Sequence, residues 1–131
     1  MGALARDGGG EKLPRSRRLT RGTEIGSVFR RGKRSRTAHL DVFDSPSPGA
    51  FPRAGVIVPR HKQTVVARNQ LKRRLREILR REVLPRLEAA GVWVDVLVRA
   101  RREAYGAPFP ELKGELLKWT ESRLSRAASS S

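Results

Sequence analysis

The segment TVVARNQLKRRLREILRREVLPRLEAAG, residues 64–91, decides the fold. At 100° per residue its apolar side chains fall into one stripe, which predicts a helix that packs on a sheet through Leu71, Leu75, Ile78 and Leu79. Thr64 is placed to cap the start of this helix, and Gly91 is placed to close its end. Pro85 lacks a backbone donor, so we expect the helix to end or kink near Leu84.

The rest of the circumference of this helix is basic. Between residues 68 and 81, seven residues are Lys or Arg and one, Glu77, is acidic. Solvated helix faces normally mix both signs, because opposite charges four residues apart attract each other. A surface whose like charges have no opposite charges beside them is typical of a surface that binds a polyanion. We therefore interpret this face as a nucleic-acid contact.

The composition of the chain points to the same class of partner. The 131 residues suffice for one domain, and they include 29 Lys and Arg against 13 Asp and Glu, a net charge of +16. Most of the cations are Arg, whose planar guanidinium matches phosphate. The sequence contains no apolar run long enough to span a bilayer, and residues 1–10 lack the apolar stretch of a secretory signal. We expect a cytoplasmic protein without a membrane partner.

The sequence argues against a catalytic centre or a metal site in this chain. It has no Cys, and its two His, His39 and His61, do not stand in a zinc-binding spacing. It contains no GxSxG, P-loop or GxGxxG motif, and its four Asp are scattered. We predict no catalytic residues and no protein-bound metal.

Two further helices are predicted. Residues 23–31, TEIGSVFRR, form a first helix with Thr23 as its cap and Gly32 in the left-handed conformation after it. The apolar residues of that helix share one face: Ile25, Val28 and Phe29. A last helix begins near Pro110, and its apolar residues are spaced to pack on the sheet: Phe109, Leu112, Leu116 and Trp119. We expect Trp119 to lie in the core rather than to stack on a base.

Three strands are predicted, at residues 38–43, 54–58 and 92–99, and the proline-rich residues 44–52 are interpreted as a loop. Both sides of the third strand are apolar, which favours a central position in the sheet. The elements predict an α+β fold, a two-layer sandwich with a mixed sheet of three to four strands and about three helices. Residues 1–12 are expected to be a disordered arm, residues 13–125 a single RNA-binding domain, and residues 126–131 a frayed tail.

A family resemblance extends this interpretation. Residues 68–76, RNQLKRRLR, resemble the RNxxKRxxR signature of the protein subunit of bacterial ribonuclease P. Further motifs resemble that family in the same order: LP at 13–14, RL at 18–19, EIGSVF at 24–29, GK at 32–33, RAG at 53–55, Asp95, and FPEL at 109–112. The resemblance covers about residues 13 to 124. Three residues depart from the family pattern, in which Ile25 is usually Phe, Pro59 is usually Ser and Val65 is usually Ala.

The resemblance implies a left-handed βαβ crossover and the role of a subunit of an endoribonuclease. In that family a catalytic RNA carries the active site and removes the 5′ leader of precursor tRNA. Mg²⁺ would be bound mainly by the RNA subunit and the substrate, with no organic cofactor. The partners of this chain would be the catalytic RNA and the leader.

The resemblance also implies a role for individual residues. Five residues of the signature would face the catalytic RNA: Arg68, Asn69, Lys72, Arg73 and Arg76. Three residues would line a cleft in which bases of the single-stranded leader stack: Ile25, Phe29 and Phe43. Further phosphate contacts are expected from Arg60, His61 and Arg80.

Two other functions are considered. A non-catalytic ribosomal or RNA-assembly protein would share the basic charge and the fold class. A DNA-binding helix-turn-helix fits less well, because the basic helix lies between two strands and no partner helix precedes it, so no DNA partner is expected. A precursor-tRNA cleavage assay with added catalytic RNA separates the first two functions.

Overall fold

The computed structural model describes residues 13–129, so the predicted arm at 1–12 and the last two serines lie outside the described residues. The helices and strands follow one another as α1 (Gly22–Arg31), β1 (Lys33–Arg36), β2 (Leu40–Pro46), β3 (Arg53–Ile57), α2 (Val65–Ile78), α3 (Leu84–Ala89), β4 (Val94–Ala100) and α4 (Phe109–Ser129). A π turn, Leu79–Val83, joins α2 to α3. None of the described helices is long and apolar enough to cross a membrane.

The four strands form one mixed sheet in the order β1-β2-β4-β3. β4 runs antiparallel to β2 and parallel to β3, so it occupies the centre that its two apolar sides predict. The connection from β3 through α2 and α3 to β4 joins two parallel neighbours and is a βαβ unit. The predicted α+β class is confirmed, while the left hand of the crossover stays a prediction.

The two faces of the sheet are covered by different helices. On one face, Val94, Val96 and Val98 pack into the main core, which α2, α3 and α4 complete. On the opposite face, Phe43 and Leu97 pack beneath α1. Val42 and Phe43 thus point to opposite sides of β2, as the alternation of a strand requires. The predicted burial of Trp119 is confirmed.

The strand predictions need three corrections. β1 was not predicted, because its sequence KRSR has no apolar alternation. β2 begins at Leu40 rather than at residue 38 and continues to Pro46, into the proline-rich segment for which the sequence predicts a loop. Asp44 is buried there because Arg123 of α4 donates to its carboxylate at 3.0 Å, a long-range pairing that local sequence does not reveal. β3 and β4 differ from the predicted ranges by one or two residues at their ends.

The first helix ends for a different reason than predicted. α1 begins at Gly22, and Thr23 does not cap it. Gly32 has φ −73° rather than the left-handed conformation. A Cβ at Gly32 would lie 2.4 Å from the carbonyl oxygen of Val28 and 3.0 Å from that of Asp44, so the last turn of α1 chiefly, and β2 in addition, require the glycine.

The caps of the central helical segment are as predicted. The hydroxyl of Thr64 accepts the N–H of Ala67 at 3.0 Å, and Gly91 has φ +70°. The predicted disturbance near Leu84 takes the form of the π turn, in which the N–H of Leu84 donates to Leu79. Pro85 then lies in the first turn of α3, directly after the π turn, so the missing donor and the change in hydrogen bonding coincide.

The predicted frayed tail is wrong for residues 126–129. α4 continues through Ser129, four residues beyond the predicted boundary of the domain at 125. Arg123 and Arg126 both reach Asp44, and these contacts hold the last turns of α4 against β2.

Candidate nucleic-acid interface

A ladder of three cations runs along one side of α2. Arg68, Lys72 and Arg76 lie four residues apart on the helix, which places them one above the other. Burial lowers the pKa of Lys72, and the positive charges of Arg68 and Arg76 lower it further. Burial also lowers the pKa of Arg76, with a contribution from the nearby Arg18. Within residues 13–129, no acid lies within salt-bridge distance of the ladder, so its repulsion is uncompensated.

The remaining signature residues extend this charged surface. Asn69 and Arg73 are exposed on the same helix, and Arg74 beside them is exposed as well. Arg68 is half-buried, and its Nε donates to the carbonyl oxygen of Val58 at 2.7 Å. The structure therefore brings the five predicted residues onto one helix and gives Arg68 the additional task of fixing that helix to the end of β3.

Arg80 is placed differently from the prediction. Its guanidinium donates to both carboxylate oxygens of Glu77 at 2.9 Å, and its side chain is only 20% exposed. A guanidinium that is already paired gains less from a phosphate, because it must first give up its carboxylate. We therefore remove Arg80 from the set of expected phosphate contacts.

The three predicted cleft residues do come together, between α1 and the sheet. Ile25 and Phe29 lie on α1, and Phe43 lies on β2 beneath them. The rings of Phe29 and Phe43 meet edge to face, with centroids 4.8 Å apart and planes at 73°. Ile25 and Phe29 are partly exposed, so this corner of the molecule presents apolar and aromatic surface to a ligand.

Phe43 itself is not available for stacking. The residue is 7% exposed, because α1 covers its ring. The prediction that a leader base stacks on Phe43 is therefore corrected. Phe43 supports Phe29 from below, and Phe29 is the aromatic residue that a base can reach.

The loop before α2 is held in an unusual conformation. His61 and Lys62 both have positive φ, 49° and 66°, a region that residues other than glycine seldom occupy. The hydroxyl of Tyr105 donates to the carbonyl oxygen of Pro59 at 2.7 Å, and its ring meets that of His61 edge to face. Arg60 and His61 remain exposed. The loop thus carries its two predicted phosphate contacts on the surface next to the signature helix.

His61 also lines a cationic pocket that no local sequence pattern predicts. The pocket lies at the ends of β2 and β4, and its wall includes three exposed arginines, Arg34, Arg99 and Arg102. The register pairs Arg99 with Asp41 and Arg34 with Phe43, which places these side chains on the face of the sheet that carries α1. Asp41 is two residues from Phe43, about 7 Å along the strand. The pocket therefore continues the aromatic corner.

Arg101 forms the rigid part of this pocket. Its Nη2 donates to the carbonyl oxygens of Thr37 and Ala38, and its Nη1 donates to Leu40 and to the carboxylate of Asp41. These bonds occupy Arg101 and partly neutralise Asp41. Arg34 also donates to Asp41 at 3.3 Å, and Glu103 lines the same wall, so Arg99 and Arg102 are the arginines of the pocket that lie nearest to a free phosphate contact. One sequence signal points to Arg99: the period-two pattern of β4 puts it on the same side of the sheet as Leu97.

Comparisons with known proteins identify the relatives of this chain. A family model described as Ribonuclease P matches residues 13–123. The ribonuclease P protein component of Acidothermus cellulolyticus is 36% identical over 107 residues, which cover 79% of this chain and 84% of that protein. That of Desulfovibrio desulfuricans is 38% identical over 96 residues, 70% of this chain and 69% of that protein.

Solved structures of similar proteins share the fold. The RNase P protein from Thermotoga maritima superposes with a TM-score of 0.64 at 23% identity, covering 86% of this chain and 96% of that one. A Staphylococcus aureus RNase P protein superposes with the same TM-score at 18% identity, covering 86% and 94%.

Proposed function

The chain belongs to the ribonuclease P protein family and is an RNA-binding subunit of a tRNA-processing ribonucleoprotein, and we propose that it binds the catalytic RNA through α2 and the 5′ leader of precursor tRNA through the surface beside α1. The alternative of a ribosomal or assembly protein is not favoured, because both the family model and the relatives are ribonuclease P proteins. The enzyme is an endoribonuclease, and we place its catalytic centre in the RNA.

The ladder on α2 is the observation that carries the first half of this proposal. Three like charges stacked along a helix cost about 0.2–0.5 kcal/mol for each adjacent pair in the free protein. Phosphates turn that cost into a gain, because each Lys or Arg that neutralises a phosphate releases a counterion. Asn69 adds a group that can both donate and accept hydrogen bonds. The catalytic RNA is the partner we assign to this surface.

The proposal that the 5′ leader binds beside α1 is supported by the aromatic corner, formed by Ile25, Phe29 and Phe43, and by the cationic pocket. Any base can stack on the exposed part of Phe29, whatever the sequence of the leader. A single strand of RNA that continues from there meets Arg99 and Arg102, which can neutralise its phosphates, and then His61 beside the signature helix. The surface thus joins a stacking residue to phosphate contacts within reach of one strand, as a single-stranded leader requires.

We place the Mg²⁺ ions of the reaction on the RNA and the substrate. In the described part of the chain, one group of side chains has a spacing that could suit a metal: His39, Glu111 and Glu115. Glu115 already accepts hydrogen bonds from the hydroxyl of Thr37 and from both the backbone and the ring of His39. These contacts connect the residues before β2 to α4, so we propose that His39 and Glu115 stabilise the fold rather than bind a metal. The proposed place of action is the cytoplasm, where precursor tRNA is made.

Leader discrimination tests the proposed function. With the holoenzyme, precursor tRNA is expected to bind more tightly than mature tRNA, and Phe29→Ala is expected to remove about 1–3 kcal/mol of that difference. Mature tRNA should lose almost nothing, because it has no leader base to stack. Equilibrium binding of both tRNAs to wild type and variant measures the effect. An equal loss for the two tRNAs would remove Phe29 from the leader surface.

Phe43→Leu is the matched control for that experiment. It alters the support beneath Phe29 without removing the exposed ring, so it should change the free energy of unfolding more than the precursor preference. Thermal unfolding of both variants separates packing from stacking. If Phe43→Leu removed the preference at unchanged stability, Phe43 would be the stacking residue.

The pH dependence of RNA binding tests the ladder. The pKa of Lys72 is lowered in the free protein, by burial and by its two cationic neighbours. Bound phosphates favour the charged form, so the complex holds its proton more tightly than the free protein does. Affinity is then expected to fall as the pH rises through the lowered pKa of Lys72, with proton uptake on binding in that alkaline range.

Lys72→Arg is the control, because Arg stays charged over this range. The variant should bind RNA with little dependence on pH where wild type weakens. Titration calorimetry in buffers of different ionisation enthalpy measures the proton uptake. Identical pH profiles for the two proteins would show that Lys72 does not contact phosphate.

A further inference from the structure

A second group of cations lies at the opposite edge of the sheet from α2. Five of the seven residues from 30 to 36 are basic, and all five are exposed: Arg30, Arg31, Lys33, Arg34 and Arg36. We call them the β1-edge cluster. Within residues 13–129, only Arg34 has an acid within salt-bridge distance, Asp41 at 3.3 Å. Of the five residues, Arg34 is the one that lines the cationic pocket described above.

Two ordinary explanations account for parts of this cluster. Cations in the last turn of α1 interact favourably with the helix dipole, which explains Arg30 and Arg31. Charges on an edge strand prevent pairing with another chain, which explains one or two residues of β1. Neither explanation accounts for five like charges in seven residues. Such crowding costs energy unless a polyanion covers it.

The geometry of β1 points to an extended phosphate backbone. Among residues 13–129, β1 pairs with β2 alone, so its other side is an edge of the described sheet. Lys33 is paired with Asp44 and Arg34 with Phe43, which places neighbouring cations on opposite faces of the sheet. A single strand of RNA in the cationic pocket beside α1 would contact only one of those faces. An RNA phosphate backbone that lies along the edge of the sheet would contact the cations on both faces.

The position of the cluster indicates which RNA lies there. α2 packs against β3, and β1 and β3 are the two outer strands, about 14 Å apart across three strand spacings. The cluster contains no aromatic side chain on which a base could stack. Resting on the proposed function, we propose that the β1-edge cluster is a second phosphate-binding surface for the catalytic RNA, separate from α2 and in contact with the cationic pocket only at Arg34.

A charge-matched pair of triple variants tests this surface. One variant carries Arg31→Gln, Lys33→Gln and Arg36→Gln. The control carries Arg86→Gln, Lys113→Gln and Lys118→Gln, which removes the same charge from α3 and α4. At about 0.15 M salt the edge variant is expected to bind the catalytic RNA roughly 10- to 100-fold more weakly than the control, with a salt slope smaller by about 2–3. This loss of affinity for the catalytic RNA should be the same whether precursor or mature tRNA is present.

Each other result overturns the inference. Equal RNA binding by the two variants, or self-association of the edge variant at unchanged RNA affinity, would show that the charges of β1 only prevent pairing with another chain. A loss seen only with precursor tRNA would assign the cluster to the leader. If wild type itself failed to bind the catalytic RNA, the proposed function would fail rather than this extension of it.

A second measurement does not depend on the stability of the triple variants. The chain has no Cys, so Lys33→Cys provides a single attachment point for a radical-generating iron chelate. In the holoenzyme the chelate is expected to cut the catalytic RNA at nucleotides different from those cut by the same chelate at Arg74→Cys on α2. Cuts confined to the leader, or no cuts, would contradict the assignment.

Discussion

Arg53→Ala is expected to lower the free energy of unfolding by about 3–5 kcal/mol, a large share of the stability of a small domain. The Nε and Nη2 of Arg53 donate to the carboxylate of Asp95 at 2.9 and 2.8 Å, and Nη1 donates to Glu24 at 2.9 Å. These bonds, chiefly those with Asp95, raise the pKa of Arg53 above its ordinary value. Without the guanidinium, Asp95 on β4 stays buried without its partner.

The same contacts connect stability to function. Glu24 lies in the first turn of α1, so Arg53 ties that helix to the sheet and fixes the position of Phe29. Chemical denaturation of Arg53→Ala, Asp95→Asn and the double variant measures the coupling. The double variant should be more stable than the sum of the two losses predicts. A loss below about 1 kcal/mol for Arg53→Ala would show that solvent already screens the network.

Replacing Lys72, Arg73 and Arg76 together by Gln is expected to weaken binding of the catalytic RNA roughly 100-fold near physiological salt. If each cation neutralises one phosphate, the slope of log affinity against log salt should become smaller by about 2–3. Arg73→Ala alone should change it by about one unit and weaken binding to RNAs of all sequences similarly. Filter binding over a series of salt concentrations measures both quantities.

Thermal unfolding provides the control for this triple variant. The variant removes two of the three ladder cations and so relieves their mutual repulsion, which should leave the melting temperature unchanged or raise it. Weaker binding with a higher melting temperature identifies the ladder as a surface kept for its ligand. An unchanged salt slope would show that the three side chains are only solvated.

The sequence predicted the parts of the fold whose signals are local and periodic. The stripe through Leu71 and Leu75, the cap at Thr64 and the positive φ of Gly91 all follow from spacing and residue type. The central place of β4 followed from its two apolar sides. The signature residues lie along one helix, as their helical period predicts, although Arg68 and Lys72 are half-buried; their contact with RNA stays a prediction.

Other features depend on contacts between distant segments, which no local pattern reports. β1 has no apolar residue, and the end of β2 is stabilised by Arg123 from α4. Asp44 therefore lies in a strand although its surroundings in the sequence are rich in proline. Gly32 is required by the space between the end of α1 and β2 rather than by its own φ. Each case is a tertiary contact that overrides the local preference.

The candidate site shows the same division. The grouping of Phe29 with Phe43 could be predicted, but not which ring α1 leaves exposed, because that depends on the packing of the helix. Arg80 looked available on a helical projection and is instead bound to Glu77. The pocket around Arg99 and Arg102 joins the end of β4 to the turn after it, and β1 supplies Arg34.

Cleavage of precursor tRNA at low Mg²⁺ tests the central claim most directly. Four reactions are compared: the catalytic RNA alone, with wild-type protein, with the triple variant at Lys72, Arg73 and Arg76, and the protein free of RNA. We predict that wild type lowers the Mg²⁺ concentration needed for cleavage, that the triple variant does so much less, and that the RNA-free protein cuts nothing. Cleavage by the RNA-free protein, or the same Mg²⁺ requirement with and without wild type, would contradict the account.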